Sequence, residues 1–448
     1  MHRRRAASIR SGAPCPVKTL ASSAVLHDNP EPMNVYAVAI LTTLVLSHLL
    51  DLISSLLNLK ALRGELPSEF EGVYDPEAYR KSQEYTRVRT RFGLVADTVE
   101  LLVVVAFWFA GGFNWLDGRV RGWTESWGSG TVATGLVFIG TLLVARSLLG
   151  LPFSIYSTFV IEERFGFNKT TPKTFVADRL KGLVLGAVLG APLLAVLLFF
   201  LESAGGYAWV YCWLVVTLFS LFLQFAFPTW IMPLFNKFEP LKEGDIRESI
   251  LSYAKSVDFP IENVFTIDGS RRSSKSNAFF TGFGRHKRLA LFDTLVANHT
   301  VAELVAVVAH EVGHFKKKHI MKTMVISIAH TGALFYLLSV FITHEGLFDA
   351  FYVEQPSLYA GLVFFGMLFA PIEFVLSIAV QALSRKNEYE ADRFATTTVS
   401  DAEDMVRALK KLSVDNLVNL TPHPCFVFLH DSHPTMLSRI RAIRRVGA

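Results

Sequence analysis

The sequence predicts an all-α integral membrane protein with about seven transmembrane helices. Hydrophobic residues make up 51% of its 448 residues, and charged residues make up 19%, below the roughly 25% that is usual for soluble domains. The mean hydropathy is +0.36, and apolar runs recur that reach the roughly 20 residues needed to cross a bilayer. A nucleic-acid-binding module is disfavoured, because the net charge of +5 is spread over loops instead of forming one basic surface.

Seven apolar segments have the length of a membrane span. They lie near residues 34–59, 93–116, 130–160, 178–201, 207–230, 320–343 and 357–382. The loops after the first and third segments are basic, as are the stretches 236–319 and 383–448, whereas 202–206 and 344–356 contain no Lys or Arg. By the positive-inside rule, we expect the N-terminal end outside and the C-terminal end in the cytosol.

This pattern divides the chain into an extension, five spans with their loops, a cytosolic segment, two further spans and a cytosolic C-terminal segment. The predicted bounds are 1–33, 34–236, 237–319, 320–382 and 383–448. The extension is basic and has no acidic residue before Asp28, a pattern that resembles a mitochondrial transit peptide. We favour the simpler interpretation, a poorly ordered tail or an upstream extension ahead of a start at Met33.

Several predicted spans carry ionisable or amide side chains. These are Asp97, Glu100, Arg146, the run from Asp178 to Lys181, Glu373 and Gln381. A charged side chain that faces lipid costs at least a few kcal/mol. Those too far from a helix end to reach the interface should therefore face a polar chamber inside the bundle.

One helix carries the strongest chemical signal. Thr300 and Glu303 fit a capping box at its start. The helix would place His310 and His314 one turn apart on one face. Two imidazoles at this spacing can bind one Zn²⁺, and Glu311 beside them can take a proton from the attacking water. The alternative, a capped amphipathic helix with two incidental histidines, is disfavoured by the acidic motif downstream.

A catalytic zinc requires a third protein ligand. The metzincin pattern would need Gly and His at the positions of Lys317 and Ile320, so that class is excluded. His319 falls one residue short of the required position and lies off the face of the other two histidines. The third ligand is therefore expected among downstream carboxylates.

The acidic run at 388–392 offers the best candidates. Glu388 and Asp392 lie four residues apart on one helix face, so Glu388 can bind zinc while Asp392 orients a ligand histidine. Glu390 is rotated by about 200° from Glu388 and should point away. Alone, this cluster would indicate a solvated helix surface, but the His-Glu-x-x-His helix upstream favours the ligand interpretation.

Two short strands are predicted just before the metal-binding helix. They cover 276–282 and 287–292, with Gly282 and Gly284 between them. An edge strand beside a zinc helix can hold an extended peptide through backbone hydrogen bonds. A purely structural hairpin would give the same pattern.

Longer motifs are specific enough to indicate a family. They are Tyr-Asp-Pro at 74–76, Lys-Ser at 81–82, Pro-Phe-Ser-Ile-Tyr-Ser-Thr-Phe-Val-Ile-Glu-Glu at 152–163, Phe-Gly-Phe-Asn-Lys at 165–169, Pro-Thr-Trp-Ile-Met-Pro-Leu-Phe-Asn-Lys-Phe at 228–238, Ser-Asn-Ala at 276–278, Asn-Glu-Tyr at 387–389 and Ser-His-Pro at 432–434. Together they resemble the CAAX prenyl protease type 1 family, from about residue 34 to the end.

The resemblance implies a barrel of seven transmembrane helices around a water-filled chamber, with a mainly helical cytosolic zinc-protease part. It implies removal of the last three residues of farnesylated CAAX proteins at the endoplasmic reticulum membrane, and also at the inner nuclear membrane. By the same match, Asn277 helps to hold the substrate backbone, His433 hydrogen-bonds the substrate near the scissile carbonyl, and Arg439 orients groups near the metal. His423 and His430 match no motif.

Two alternatives stay open at this point. One is a membrane quality-control zinc protease, whose bacterial representatives share the metal motifs but have fewer spans. The other is a non-catalytic seven-helix transporter or receptor, which the complete ligand set disfavours. The expected cofactor is one Zn²⁺, and the expected partners are prenylated substrates and the lipid bilayer, with no nucleic acid and no obligate protein partner.

Overall fold

Helices form most of the protein, and a four-stranded sheet completes it. The computed structural model describes residues 34–259, 261, 263–281 and 288–447, so the extension at 1–33 and the glycines Gly282 and Gly284 between the predicted strands lie outside the described residues. The helices are α1 Val35–Ala61, α2 Pro76–Phe109, α3 Gly112–Glu125, α4 Thr131–Tyr156, α5 Pro172–Ser203, α6 Ala208–Ala226, α7 Met232–Phe235, α8 Asp245–Ser256, α9 Asp293–Asn298, α10 Val301–Lys316, α11 His319–Phe341, α12 Glu345–Asp349, α13 Leu358–Thr398, α14 Ala402–Asp415, α15 Pro424–His430 and α16 Met436–Gly447. The strands are β1 Phe238–Pro240, β2 Val264–Ile267, β3 Ala278–Thr281 and β4 Arg288–Phe292.

The seven predicted spans are confirmed among the described residues, since seven helices are long and apolar enough to cross a membrane. The predicted end of the second span is wrong. Its helix stops at Phe109, because Gly111 adopts a left-handed conformation (φ 70°) that breaks the helix before α3. The last span is part of α13, whose 41 residues extend about 60 Å, twice the thickness of a hydrocarbon core. Its final turns therefore project beyond the membrane.

The middle parts of α1 and α2 bury few of their side chains. In α2, no residue between Tyr85 and Trp108 is buried, a stretch of about 35 Å. In α1, the same holds between Ile40 and Ser54. A solid bundle would bury one face of each helix along its whole length. The helices therefore enclose a chamber, as the resemblance implied.

Three charged side chains of the spans, Glu100, Arg146 and Asp178, form ion pairs. Arg146 of α4 donates to Glu100 of α2 over 2.8 Å. Arg272, which follows a short helical turn after β2, binds both carboxylate oxygens of Asp178 in α5 at 2.8 and 3.0 Å. The second pair connects the membrane helices to the sheet-bearing part of the chain.

Hydrophobic cores close the two ends of the barrel. The core at the end away from the sheet includes Trp108, Phe113, Phe138, Phe348, Phe351 and Phe364. The core beneath the sheet includes Ile250, Leu289, Leu291, Leu304, Val308 and Ile440. The odd number of spans places Asn34 at the first end, where its amide donates to Gly346 O over 2.7 Å. The C-terminal segment lies at the sheet end, where Ser54 of α1 contacts His430 of α15 at 2.7 Å.

The predicted hairpin is confirmed and belongs to a larger sheet. β3 and β4 pair antiparallel, and the strand order is β1-β2-β4-β3. β2 pairs parallel to β4, and β1 adds antiparallel to β2. The central strand β4 is fully buried at Leu289, Ala290 and Leu291, whereas β3 forms an edge of the sheet.

Candidate metal centre

The helix that carries the histidines, α10, begins as predicted. Thr300 and Glu303 form a complete capping box, in which the backbone N–H of Thr300 donates to the Glu303 carboxylate over 2.8 Å. Lys411 of α14 also donates to this buried carboxylate over 2.7 Å. The start of α10 is therefore fixed by hydrogen bonds, which holds the following turns against α13.

A glycine permits the closest contact between α10 and α13. A Cβ at Gly313 would lie 3.0 Å from both Cα and O of Ala391, closer than side chains normally approach a backbone. Ala391 is fully buried, so neither helix can move aside without cost. This approach lets Glu388, one turn before Ala391, reach His310 and His314.

Three side-chain groups converge at this contact. His310 Nε2 lies 3.1 Å from His314 Nε2 and 3.5 Å from Glu388 Oε2, and His314 Nε2 lies 3.3 Å from Glu388 Oε1. A tetrahedral zinc with bonds of about 2.0–2.1 Å would separate its ligand atoms by about 3.3–3.4 Å. Glu388 Oε2 is buried and has no hydrogen-bond partner. The spacing and the unsatisfied oxygen both fit a bound metal ion.

A buried pair of charged residues supports His310 and Glu388 from behind. Asp392 Oδ1 lies 2.9 Å from His310 Nδ1, which leaves Nε2 of that histidine free for a metal. Arg439 binds both oxygens of Asp392, at 2.6 and 2.8 Å, and its Nη1 lies 3.4 Å from Glu388 Oε2. The structure thus places Asp392 against His310, and Arg439 against Asp392 and Glu388.

The charged groups of this cluster shift the pKa values of His310 and Arg439. Burial alone would lower the pKa of His310, but the neighbouring carboxylates of Asp392 and Glu388 outweigh it and raise the pKa to about 9. Burial likewise opposes the charged form of Arg439, yet the Asp392 and Glu388 carboxylates keep its pKa above the ordinary value. The carboxylates therefore attract positive charge to this point, which favours binding of a cation.

Glu311 lies beside the edge strand. Burial raises its pKa, while His310 and His314 lower it and the backbone N–H of Phe280 donates a hydrogen bond to its carboxylate. The net shift is upward. A half-buried carboxylate with a raised pKa is suited to accept a proton and release it again.

Of the residues implied by the family resemblance, His433 lies beside the metal triangle and Asn277 lies at the start of the edge strand. His433 Nε2 is 3.4 Å from Glu388 Oε1, and its side chain is 61% exposed, so it borders the metal triangle on the open side. Asn277 lies immediately before β3, where its side-chain oxygen accepts from the backbone N–H of Ala278 over 2.9 Å. His423 caps α15 through Cys425 N.

Two residues of the site were missed by the sequence reasoning. His319 is outside the metal triangle, as expected, but its Nδ1 lies 3.0 Å from Nδ1 of His314. Glu390 is also outside the triangle, yet it contacts His319 Nε2 at 3.1 Å. The histidine at 319 is visible in the sequence, but its spacing of five residues from His314 does not indicate their contact.

Comparisons with known proteins identify the family of this chain. The model for the CAAX prenyl protease N-terminal region, with five membrane helices, matches residues 36–237, and peptidase family M48 matches residues 240–446. The CAAX prenyl protease 1 homolog of Homo sapiens is 35% identical over 424 residues, which cover 85% of this chain and 88% of the relative. CAAX prenyl protease 1 of Saccharomyces cerevisiae is 33% identical over 413 residues, covering 86% and 89%.

A solved structure extends the agreement to the fold. The crystal structure of S. mikatae Ste24p matches with a TM-score of 0.86 at 31% identity, covering 92% of this chain and all of that one (100%). The two family models together match nearly all described residues. The matched regions contain the His-His-Glu cluster and nearly all residues of the seven spans and the sheet. The chain therefore belongs to peptidase family M48, in its CAAX prenyl protease group, and is a multi-pass membrane metalloprotease.

Proposed function

We propose that this protein is a zinc metalloendopeptidase that removes the C-terminal tripeptide from farnesylated CAAX proteins, at the cytosolic face of the endoplasmic reticulum membrane. The observation that carries the proposal is the triangle of His310, His314 and Glu388, with edges of 3.1–3.5 Å. The membrane chamber and the relatives named above support a lipid-modified substrate.

The reaction is assigned to four side chains and a metal. A Zn²⁺ ion held by His310, His314 and Glu388 would supply Lewis acidity toward the scissile carbonyl and the attacking water. Glu311 takes the proton from that water and passes it to the leaving amine.

Neighbouring residues position these groups and receive the developing charge. His433 donates a hydrogen bond to the oxyanion from the exposed side of the site. Asp392 fixes the ring of His310, and Arg439 keeps the carboxylates of Asp392 and Glu388 ionised and aligned.

The edge of β3 provides a place for the substrate backbone. The N–H groups of Ala278 and Phe280 are bound by the Asn277 side chain and by Glu311, so both are directed away from β4. An extended peptide that adds to this edge would lie alongside Glu311. In this proposal, the side chain of Asn277 releases Ala278 N–H and hydrogen-bonds the substrate backbone instead.

Peptide cleavage by the purified protein tests the proposed specificity. We expect a farnesylated CAAX peptide to be cleaved at the peptide bond that follows the prenylated cysteine. Its kcat/KM should be at least about tenfold above that of the unprenylated peptide, because about 1.4 kcal/mol of apolar contact with the farnesyl group is enough for this factor. Mass spectrometry of the released tripeptide is the readout. Equal cleavage of both peptides would contradict the prenyl-specific proposal and favour the quality-control alternative.

Replacing His433 tests the oxyanion role separately. We expect His433→Ala to lower kcat by about 10²–10³-fold with little change in KM, because a donor aimed at the oxyanion acts in the transition state. Metal content should be unchanged. The matched control is His430→Ala, a histidine of the same segment that contacts Ser54 instead of the metal site. Equal kcat for His433→Ala and the wild-type protein would exclude the assigned role.

A further inference from the structure

The two metal-site histidines are supported in different ways. Nδ1 of His310 contacts the carboxylate of Asp392 directly. Nδ1 of His314 contacts a second imidazole, that of His319, at 3.0 Å, and Nε2 of His319 contacts Glu390 at 3.1 Å. The carboxylate behind His314 is therefore reached through an intervening histidine.

The hydrogen positions along this chain follow from the metal triangle. Nε2 of His314 faces His310 and Glu388, so the hydrogen of its neutral ring belongs on Nδ1. That N–H donates to the lone pair of His319 Nδ1, which puts the hydrogen of His319 on Nε2. Nε2–H then donates to the Glu390 carboxylate. All donors point in one direction, away from the metal, and end on a negative charge.

The backbone is arranged to bring His319 to this place. Lys318 lies between α10 and α11 in the left-handed conformation (φ 57°), which is unfavourable for a residue other than glycine. This residue separates α10 from α11, and the first side chain of α11 contacts His314 in the last turn of α10. His319 is only 3% exposed, and its ring lies edge-on to that of His314 with the centroids 5.1 Å apart.

The carboxylate end of the chain is also fixed. Glu390 lies on α13 two residues after the ligand Glu388, so one helix serves both the metal and the support of His314. Its oxygens lie 3.8 Å from Lys322 Nζ and 3.9 Å from Lys386 Nζ, so two ammonium groups flank the carboxylate that contacts His319.

We infer that His319 and Glu390 are positioning residues that fix the tautomer and ring orientation of His314 for metal binding. The inference rests on the proposed assignment of His314 as a metal ligand. Support of this kind typically changes metal affinity by about 10–100-fold, because an unsupported imidazole rotates and binds as a weaker donor.

Metal affinity of the full-length protein in detergent tests the inference. The probe is Zn²⁺ itself, measured by competition with a chromophoric chelator. We expect His319→Phe, which keeps the ring but removes both nitrogens, to raise the zinc dissociation constant about 10–100-fold. His319→Gln retains an acceptor and a donor and should recover part of this loss. The double variant His319→Phe with Glu390→Gln should bind no more weakly than His319→Phe alone.

A matched control lies on the same helix. His330 pairs with Glu373 at 3.1 Å, in the same type of pair but away from the metal triangle, so His330→Phe should leave zinc affinity unchanged. Wild-type affinity in His319→Phe would overturn the inference, as would equal losses in His319→Phe and His319→Gln. Failure of the wild-type protein to bind zinc would instead overturn the proposed metal assignment itself, and the inference with it.

Discussion

Glu311→Gln should lower kcat by about 10²–10⁴-fold while the protein retains its metal. The amide preserves the shape of the side chain and can still accept from the backbone N–H of Phe280, but it cannot take a proton from water. Its neighbours His310 and His314 keep their contacts with Glu388, so metal binding should persist. Peptide cleavage and elemental analysis on the same sample give the two quantities.

A carboxylate far from the chemistry serves as the control for this variant. Glu248 is an exposed residue of α8, and Glu248→Gln should retain wild-type activity. Full activity of Glu311→Gln would contradict the assignment of Glu311 as the general base. Loss of activity together with loss of metal would show that Glu311 acts on the ligands instead of the water.

Arg439→Met should destabilise the folded protein by about 3–5 kcal/mol. The guanidinium is buried and binds Asp392 through two hydrogen bonds, and it lies 3.4 Å from Glu388. Removing one partner from a buried ion pair leaves an uncompensated charge, and that penalty is much larger than the net benefit of the pair. Thermal denaturation of the detergent-solubilised variant, compared with the wild-type protein, measures the effect.

An exposed arginine of the same helix serves as a control that distinguishes the effect of burial from the effect of losing a charge. Arg444 also pairs with two carboxylates, those of Glu69 and Glu403, but its side chain is 44% exposed. Arg444→Met should therefore cost no more than about 1 kcal/mol, because water screens exposed ion pairs. Equal destabilisation by the two variants would contradict the account of Arg439 as the compensating charge of a buried site.

The membrane architecture could be predicted because hydropathy over some 20 residues is a strong signal. The residues at which the helices begin and end could not be predicted. The first turns of α2, from Pro76, are polar and lie before the apolar run, and α13 continues as a polar helix to Thr398. Strands β1 and β2 were missed because 3 and 4 residues are too short for an alternating pattern.

The metal triangle could be proposed because the spacing of His310 and His314 places them on one helix face. The choice of Glu388 depended on the same periodicity in a second helix. His319 and Glu390 could not be recognised this way. Their contact depends on the left-handed turn at Lys318 and on the close approach of two helices, which no local periodicity encodes.

The zinc content of the purified protein tests the central claim most directly. Elemental analysis should find one zinc per chain in the wild-type protein and almost none in Glu388→Ala, because the variant retains only the two histidine ligands. A metal-free wild-type protein, or full zinc occupancy in Glu388→Ala, would contradict the assignment of His310, His314 and Glu388 as the catalytic metal site.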